Sequence, residues 1–240
     1  MRRATIVHSL MVVFRLSDQI GFPPPDLAEE NGLLAVGGDL SPRRIIAAYR
    51  LGIFPWYSEN DPILWWFTSP RLVLFPDDLR VSKRLRRYYK NTTQTFTINK
   101  AFDEVITACA ASRQAVKEDT WITSDMIQAY KDLNRLGYAQ SIECWDNSQL
   151  VGGLYGIALG KVFFGESMFT LSANSSKFAL IELVNFLKTN NYQLIDCQMT
   201  TTHLVSMGAR ELDGKEFQRL LSRHINSTLP DKIWSHDTDN

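Results

Sequence analysis

The stretch from residue 139 to residue 198 constrains the fold more than any other. Residues 139–145, 150–159 and 162–169 read as three strands, separated only by the turns Asp146-Asn147 and Gly160-Lys161. An amphipathic helix over 175–188 follows, with Phe178, Ile181, Leu183, Val184 and Leu187 as its apolar positions. A buried strand, Gln193 to Cys197, comes next, and a last helix is expected over 214–224. Three strands, a helix, a strand and a helix form an α+β core.

The region before it is more broken. Residues 19–40, rich in Pro and Gly, read as loop. A helix starts at Ser41, with Pro42 at its first position and Gly52 after its end, and Ile45, Ile46, Ala48 and Tyr49 on its apolar face. Residues 63–75 look strand-like but are interrupted by Ser69-Pro70. A short helix over 79–90, a strand over 94–98 and helices over 101–111 and 124–136 complete the reading, with Ser82 and Thr123 as caps. The apolar run Ala4 to Phe14 is followed by Arg15 rather than a small-residue cleavage site, which argues against a secretory signal. Met11 is an alternative start. No apolar stretch reaches about 18 residues, so no membrane helix is expected.

Charge is balanced overall, 26 Lys and Arg against 26 Asp and Glu, which excludes a wholly basic nucleic-acid binder. The balance conceals an asymmetry. Arg80, Lys83, Arg84, Arg86, Arg87 and Lys90 put +6 into residues 79–90 without one acid, leaving −6 on the rest of the chain. A solvated helix face does not need that concentration. With Tyr88 and Tyr89 as stacking surfaces, RNA or another polyanion is a reasonable partner. Cys109, Cys144 and Cys197 are too scattered for a disulfide framework, and no CxxC pair suggests zinc. A reducing, cytoplasmic setting fits.

Two acids stand inside apolar strands: Glu166 in FFGESMF and Asp196 in LIDCQ. Each is costly there unless paired or hydrogen-bonded, so each either orders a strand end or belongs to a polar site. The glycines of Val151-Gly152-Gly153-Leu154-Tyr155-Gly156 do not open a helix, as a phosphate loop would, and are read as places of close backbone approach. Trp56 and Trp121 sit at loop edges, where pockets are lined. No GxSxG, HExxH or P-loop occurs, and neither Ser167 nor Cys197 has the sequence signs of an activated nucleophile. The residues themselves thus give a soluble α+β protein with a basic patch, an aromatic pocket and an acid-containing site.

At these residues the chain resembles the leucyl/phenylalanyl-tRNA–protein transferases. The matching stretches are GLLAVGGDLSPRRIIAAYRLGIFPWY (32–57), PILWW (62–66), TWIT (120–123), LVGGLYGIALG (150–160), FFGESMF (163–169), LIDCQ (194–198) and SMGA (206–209). The resemblance implies a small N-terminal α/β domain over 1–70, whose first 18 residues form a partly disordered extension. A GNAT-like (acetyltransferase-like) catalytic domain over 71–230 and a loose tail over 231–240 complete the expected division. It implies transfer of Leu or Phe, and less readily Met, from its tRNA to proteins beginning with Arg or Lys, marking them for N-degron degradation. The expected protein is monomeric and uses no cofactor, metal or covalent enzyme intermediate, because an aminoacyl ester is already activated.

Carried over by motif, Asp196 and Gln198 are the catalytic pair. Gln198 contacts the reacting groups, and Asp196 orients it or acts as the base. Glu166 binds the donor α-amino group or the cationic acceptor residue. Trp56, Trp121, Leu154, Phe163, Met168 and Ile195 form the donor pocket. Lys83, Arg84, Arg86, Arg87 and Lys90 hold the tRNA by its phosphates. Three stretches depart from the family pattern: Leu171 stands where the family has Arg, Phe67-Thr68-Ser69-Pro70 replaces its SPDP, and 112–119 differ. Two other readings compete. A GNAT-type acyl-CoA acetyltransferase lacks a pyrophosphate loop opening onto a helix here. A non-catalytic RNA-binding module leaves the two strand acids beside Gln198 unexplained.

Overall fold

The computed structural model describes residues 13–115, 121–228 and 233–234. The strand β1 (Phe14–Leu16) pairs in parallel with β2 (Leu33–Gly37). Helix α1 (Pro42–Arg50) is capped as expected, the Ser41 hydroxyl accepting from the Arg44 N–H. β3 (Phe54–Pro55) and β4 (Leu64–Trp66) then complete a four-stranded sheet of order β1-β2-β4-β3.

One expectation fails here. Residues 19–40 are not all loop, since β2 lies within them. The cause is tertiary. Arg44, fully buried, donates to the Ser17 carbonyl at 2.8 Å and to Asp39 at 3.1 Å, and so fastens the incoming segment to α1. The question of the true start lies outside the described residues.

After β4 the chain changes sheets. β5 (Arg71–Leu74) belongs to a seven-stranded sheet, in which it lies between the later strands Arg210–Leu212 and Leu194–Gln198. Helix α2 (Lys83–Lys90), capped by Ser82, leads to β6 (Thr95–Ile98), α3 (Phe102–Ala115) and α4 (Ser124–Arg135), the last capped by Thr123. β7 (Ala139–Asp146), β8 (Gln149–Leu159) and β9 (Val162–Thr170) are the predicted strand trio, joined antiparallel. Helix α5 (Ser175–Thr189) crosses over to β10 (Leu194–Gln198), which lies parallel to β9. The short α6 (Thr202–Ser206), β11 (Arg210–Leu212) and α7 (Gly214–His224) finish the chain.

One face of the large sheet shares its core with the small sheet: Leu34, Trp65, Phe164 and Leu221 belong to one continuous apolar cluster. The other face, with Leu154, Phe163 and Ile195, is covered by α5. Gly156 shows why β8 carries glycines, since a Cβ there would collide with the Phe164 carbonyl and meet the Phe163 ring at 2.6 Å.

Beyond residue 230, the Trp234 ring lies 4.3 Å from Phe186 and 5.8 Å from Phe163, centroid to centroid. Residues 235–240 lie outside the described residues.

Candidate active site

β9 and β10 pair only over Val162–Phe164 and Leu194–Asp196. Beyond that they part, β9 following β8 and β10 following β5. Both strands are irregular where they part. On β9, Tyr155 opposes Ser167 and Gly156 opposes Gly165, so Glu166 is the extra residue of a bulge. On β10 the register shifts between Asp196 and Gln198, so Cys197 is the extra residue.

The β9 bulge has a direct consequence. Phe163 and Met168 are five residues apart and would face opposite sides of a regular strand. With one extra residue between them, both face the α5 side, where Met168 opposes Leu154.

A cavity of about 580 Å³ opens beside the parted strands. Trp56, Trp121, Leu154, Phe163, Met168 and Ile195, the six residues expected to form a donor pocket, all line it. Glu166, Gln198 and Cys197 border the same cavity, and α5 adds Leu180 and Leu183. Its volume lies in the ordinary range for a small-molecule site.

Glu166 is held by two tyrosines whose part is not legible in the sequence. Tyr49 of α1 donates to Oε1 at 2.7 Å and Tyr130 of α4 to Oε2 at 3.0 Å, while the two phenol oxygens are themselves 2.6 Å apart. Burial pushes the Glu166 pKa up to about 7, against the lowering effect of the two phenol donors. Gln198 Nε2 lies 3.5 Å from Glu166 Oε1, which puts the amide and the carboxyl side by side.

Asp196 does not border the cavity. It is fully buried and gripped by Arg71, whose Nε donates to Oδ1 at 2.8 Å and whose second nitrogen donates to Oδ2 at 2.6 Å. Arg71 is also fully buried, donates to the Gly52 carbonyl at 2.9 Å and packs over the Phe54 and Phe217 rings. Both Asp196 oxygens are thus engaged by the guanidinium. Its Oδ1 accepts from the Gln198 backbone N–H at 3.0 Å. That bond holds Gln198 at φ +54°, a left-handed conformation that costs a residue with a side chain about 1–3 kcal/mol and concentrates at functional sites. Arg71 escapes a reading of the sequence because its chain neighbours give no sign of a partner 125 residues away.

Cys197 borders the cavity, but burial first and the Asp196 charge second push its thiol well above the usual range. It is therefore a poor nucleophile at neutral pH.

The basic helix is set apart from this chemistry. Lys83, Arg84, Arg86, Arg87 and Lys90 are all exposed on α2, and among the described residues none pairs with an acid. Leu85 anchors the helix. The two tyrosines split: Tyr88 is exposed between Arg84 and Arg87, but Tyr89 turns inward, packs on Phe178 and donates to Glu182. Only Tyr88 is placed as a stacking surface. Residues 116–119 of the altered family loop lie outside the described residues.

Three antiparallel strands, a crossover helix and a parallel strand that parts from its neighbour make an α+β domain with an amide and a carboxyl at the parting point. Comparison with known proteins makes this particular. The leucyl/phenylalanyl-tRNA protein transferase model matches residues 73–222, and the model of that family's N-terminal domain matches residues 38–69. The leucyl/phenylalanyl-tRNA--protein transferase of Desulfotalea psychrophila is 56% identical over 93% of this chain and 99% of its own length. That of Syntrophobacter fumaroxidans is 52% identical over 95% and 97%. A solved ribosomal-protein-alanine N-acetyltransferase from Brucella melitensis aligns at 12% identity with a TM-score of 0.36, over 58% of this chain and 94% of that one. The chain belongs to the leucyl/phenylalanyl-tRNA protein transferase family and is a transferase enzyme.

Proposed function

We propose that this enzyme moves Leu or Phe, and less readily Met, from its tRNA to the N-terminal amine of proteins beginning with Arg or Lys, marking them for N-degron degradation. The observation that carries the reading is the apolar cavity bordered jointly by the Glu166 carboxyl and the Gln198 amide. Such a space suits an apolar amino acid whose α-amino group must be held and whose ester must be presented. Residues 71–230 act as the catalytic domain, and residues 1–70 contribute Trp56 to the cavity wall.

The chemistry balances without a cofactor. The acceptor amine, with an ordinary pKa of about 7.7–8.0, is partly neutral at neutral pH. Its lone pair attacks the ester carbonyl carbon, a C–N bond forms, the bond to the tRNA ribose oxygen breaks, and the amine proton passes to the departing ribose hydroxyl. Positioning supplies much of such a rate. Gln198 donates its side-chain N–H toward the oxygen that gains charge. Glu166 holds the donor α-amino group. Asp196 and Arg71 act through Gln198 as positioning residues.

Transfer of labelled Leu and Phe from charged tRNA to a peptide beginning with Arg tests the reading, with the N-acetylated peptide as control. Label in the first peptide alone supports it. Folded protein that labels neither would overturn it.

A further inference from the structure

We infer from the aromatic packing around Phe163 a positioning role for a residue outside the cavity: Trp234 sets the depth of the donor pocket through Phe163. The inference rests on the donor-pocket reading above and extends it to a segment that the sequence alone marks as loose.

Phe163 is shared between two environments. One side of it lines the cavity. It also stacks on the Trp234 indole at 5.8 Å between ring centroids, with 30° between planes, and Trp234 does not line the cavity. On the sheet side the Phe163 ring lies so close over Gly156 that no Cβ would fit between them. The ring is therefore confined by the sheet and the indole, and the indole is the removable support.

The indole is itself fixed from several directions. Its Nε1–H donates to the Tyr192 hydroxyl at 2.8 Å, its ring packs against Phe186 at 4.3 Å, and Asn99 Nδ2 donates to its backbone carbonyl at 2.8 Å. Together they place the ring at one depth behind Phe163, and aromatic pairs of this kind are directional.

Removing the indole leaves a hollow behind Phe163, into which that ring can retreat. The cavity then gains room at one wall, and the larger donor side chain gains relative to the smaller. Trp234→Ala should raise the ratio of kcat/KM for Phe-tRNA to that for Leu-tRNA by roughly three- to tenfold, at or below the low end of what one pocket contact discriminates because Trp234 acts only through Phe163. Trp234→Phe, which restores an aromatic face, should keep the ratio within about twofold of the parent.

The test measures both donors with one Arg-initiated peptide for the parent chain, Trp234→Ala, Trp234→Phe and Tyr192→Phe. Tyr192→Phe removes only the hydroxyl that accepts the indole N–H, and should shift the ratio in the same direction by less. Should Trp234→Ala fail to fold, the sign of the Tyr192→Phe shift decides. Equal loss for both donors in Trp234→Ala, or an unchanged ratio in Tyr192→Phe when the alanine variant does not fold, overturns the role of Trp234. A parent chain that transfers neither donor overturns the proposed function instead.

Discussion

Arg71 closes on Asp196 with two hydrogen bonds, 2.8 Å to Oδ1 and 2.6 Å to Oδ2, and neither side chain reaches solvent. Oδ1 then carries the Gln198 N–H, so the ion pair is one bond away from the cavity. Removing one partner of a buried pair leaves a charge without compensation and typically costs about 3–5 kcal/mol. Asp196→Ala and Arg71→Ala should both be destabilised on that scale in urea unfolding. Gln198→Ala should keep most of the stability yet lose most of the transfer activity. A stable, fully active Gln198→Ala protein would contradict its role.

Glu166 predicts a pH dependence with a definite sign. Its folded pKa is about 7, raised from an ordinary 4.5. Between those values the folded chain binds more protons at this site than the unfolded chain, so its contribution to stability falls as pH rises. Glu166→Gln cannot ionise and should lose less melting temperature between pH 5 and pH 8 than the parent does. Thermal unfolding at the two pH values measures the difference. An identical fall in both proteins argues that this carboxyl does not titrate there.

Cys197 borders the cavity but holds its thiol proton tightly. Cys197→Ala should therefore retain most transfer activity, and a thiol-directed reagent should not trap an aminoacyl-enzyme. A folded but inactive alanine variant would mean that the thiol takes part in the chemistry.

The exposed face of α2 should read phosphates without reading sequence. Replacing Arg84 and Arg87 by Ala should weaken binding of all donor tRNAs about equally. It should also flatten the salt dependence by a log–log slope of about 0.7–0.9 for each phosphate that is no longer neutralised. Transfer from a minimal aminoacyl-adenosine donor, which has no stem, should be nearly unchanged. Equal loss with both donors would show that α2 supports the fold instead.

Much of the frame is legible from local sequence. The strand trio, the crossover helix and the helix caps at Ser41, Ser82 and Thr123 follow from hydrophobic period, turn residues and short-range hydrogen bonds. The cavity-lining residues are legible too, through motifs recurring in order along the chain. Less legible are the segments whose structure depends on distant partners. β2 hides in a stretch rich in Pro and Gly, and Trp234 gains its place from Phe163 and Phe186 rather than from its neighbours.

By itself the sequence determined which residues are apolar, which acids stand among them and where the helices capped by Ser41, Ser82 and Thr123 begin, because caps and periodicity act over a few residues. Only the tertiary structure decided what those acids touch. A strand's period of two places Phe163 and Met168 on opposite faces, and one bulge at Glu166 brings them to the same cavity. Nothing in the strand of Asp196 names a partner, yet Arg71, 125 residues away, occupies both its oxygens. Bulges and buried ion pairs arise between strands brought together by packing, and their energies depend on partners that no local window contains.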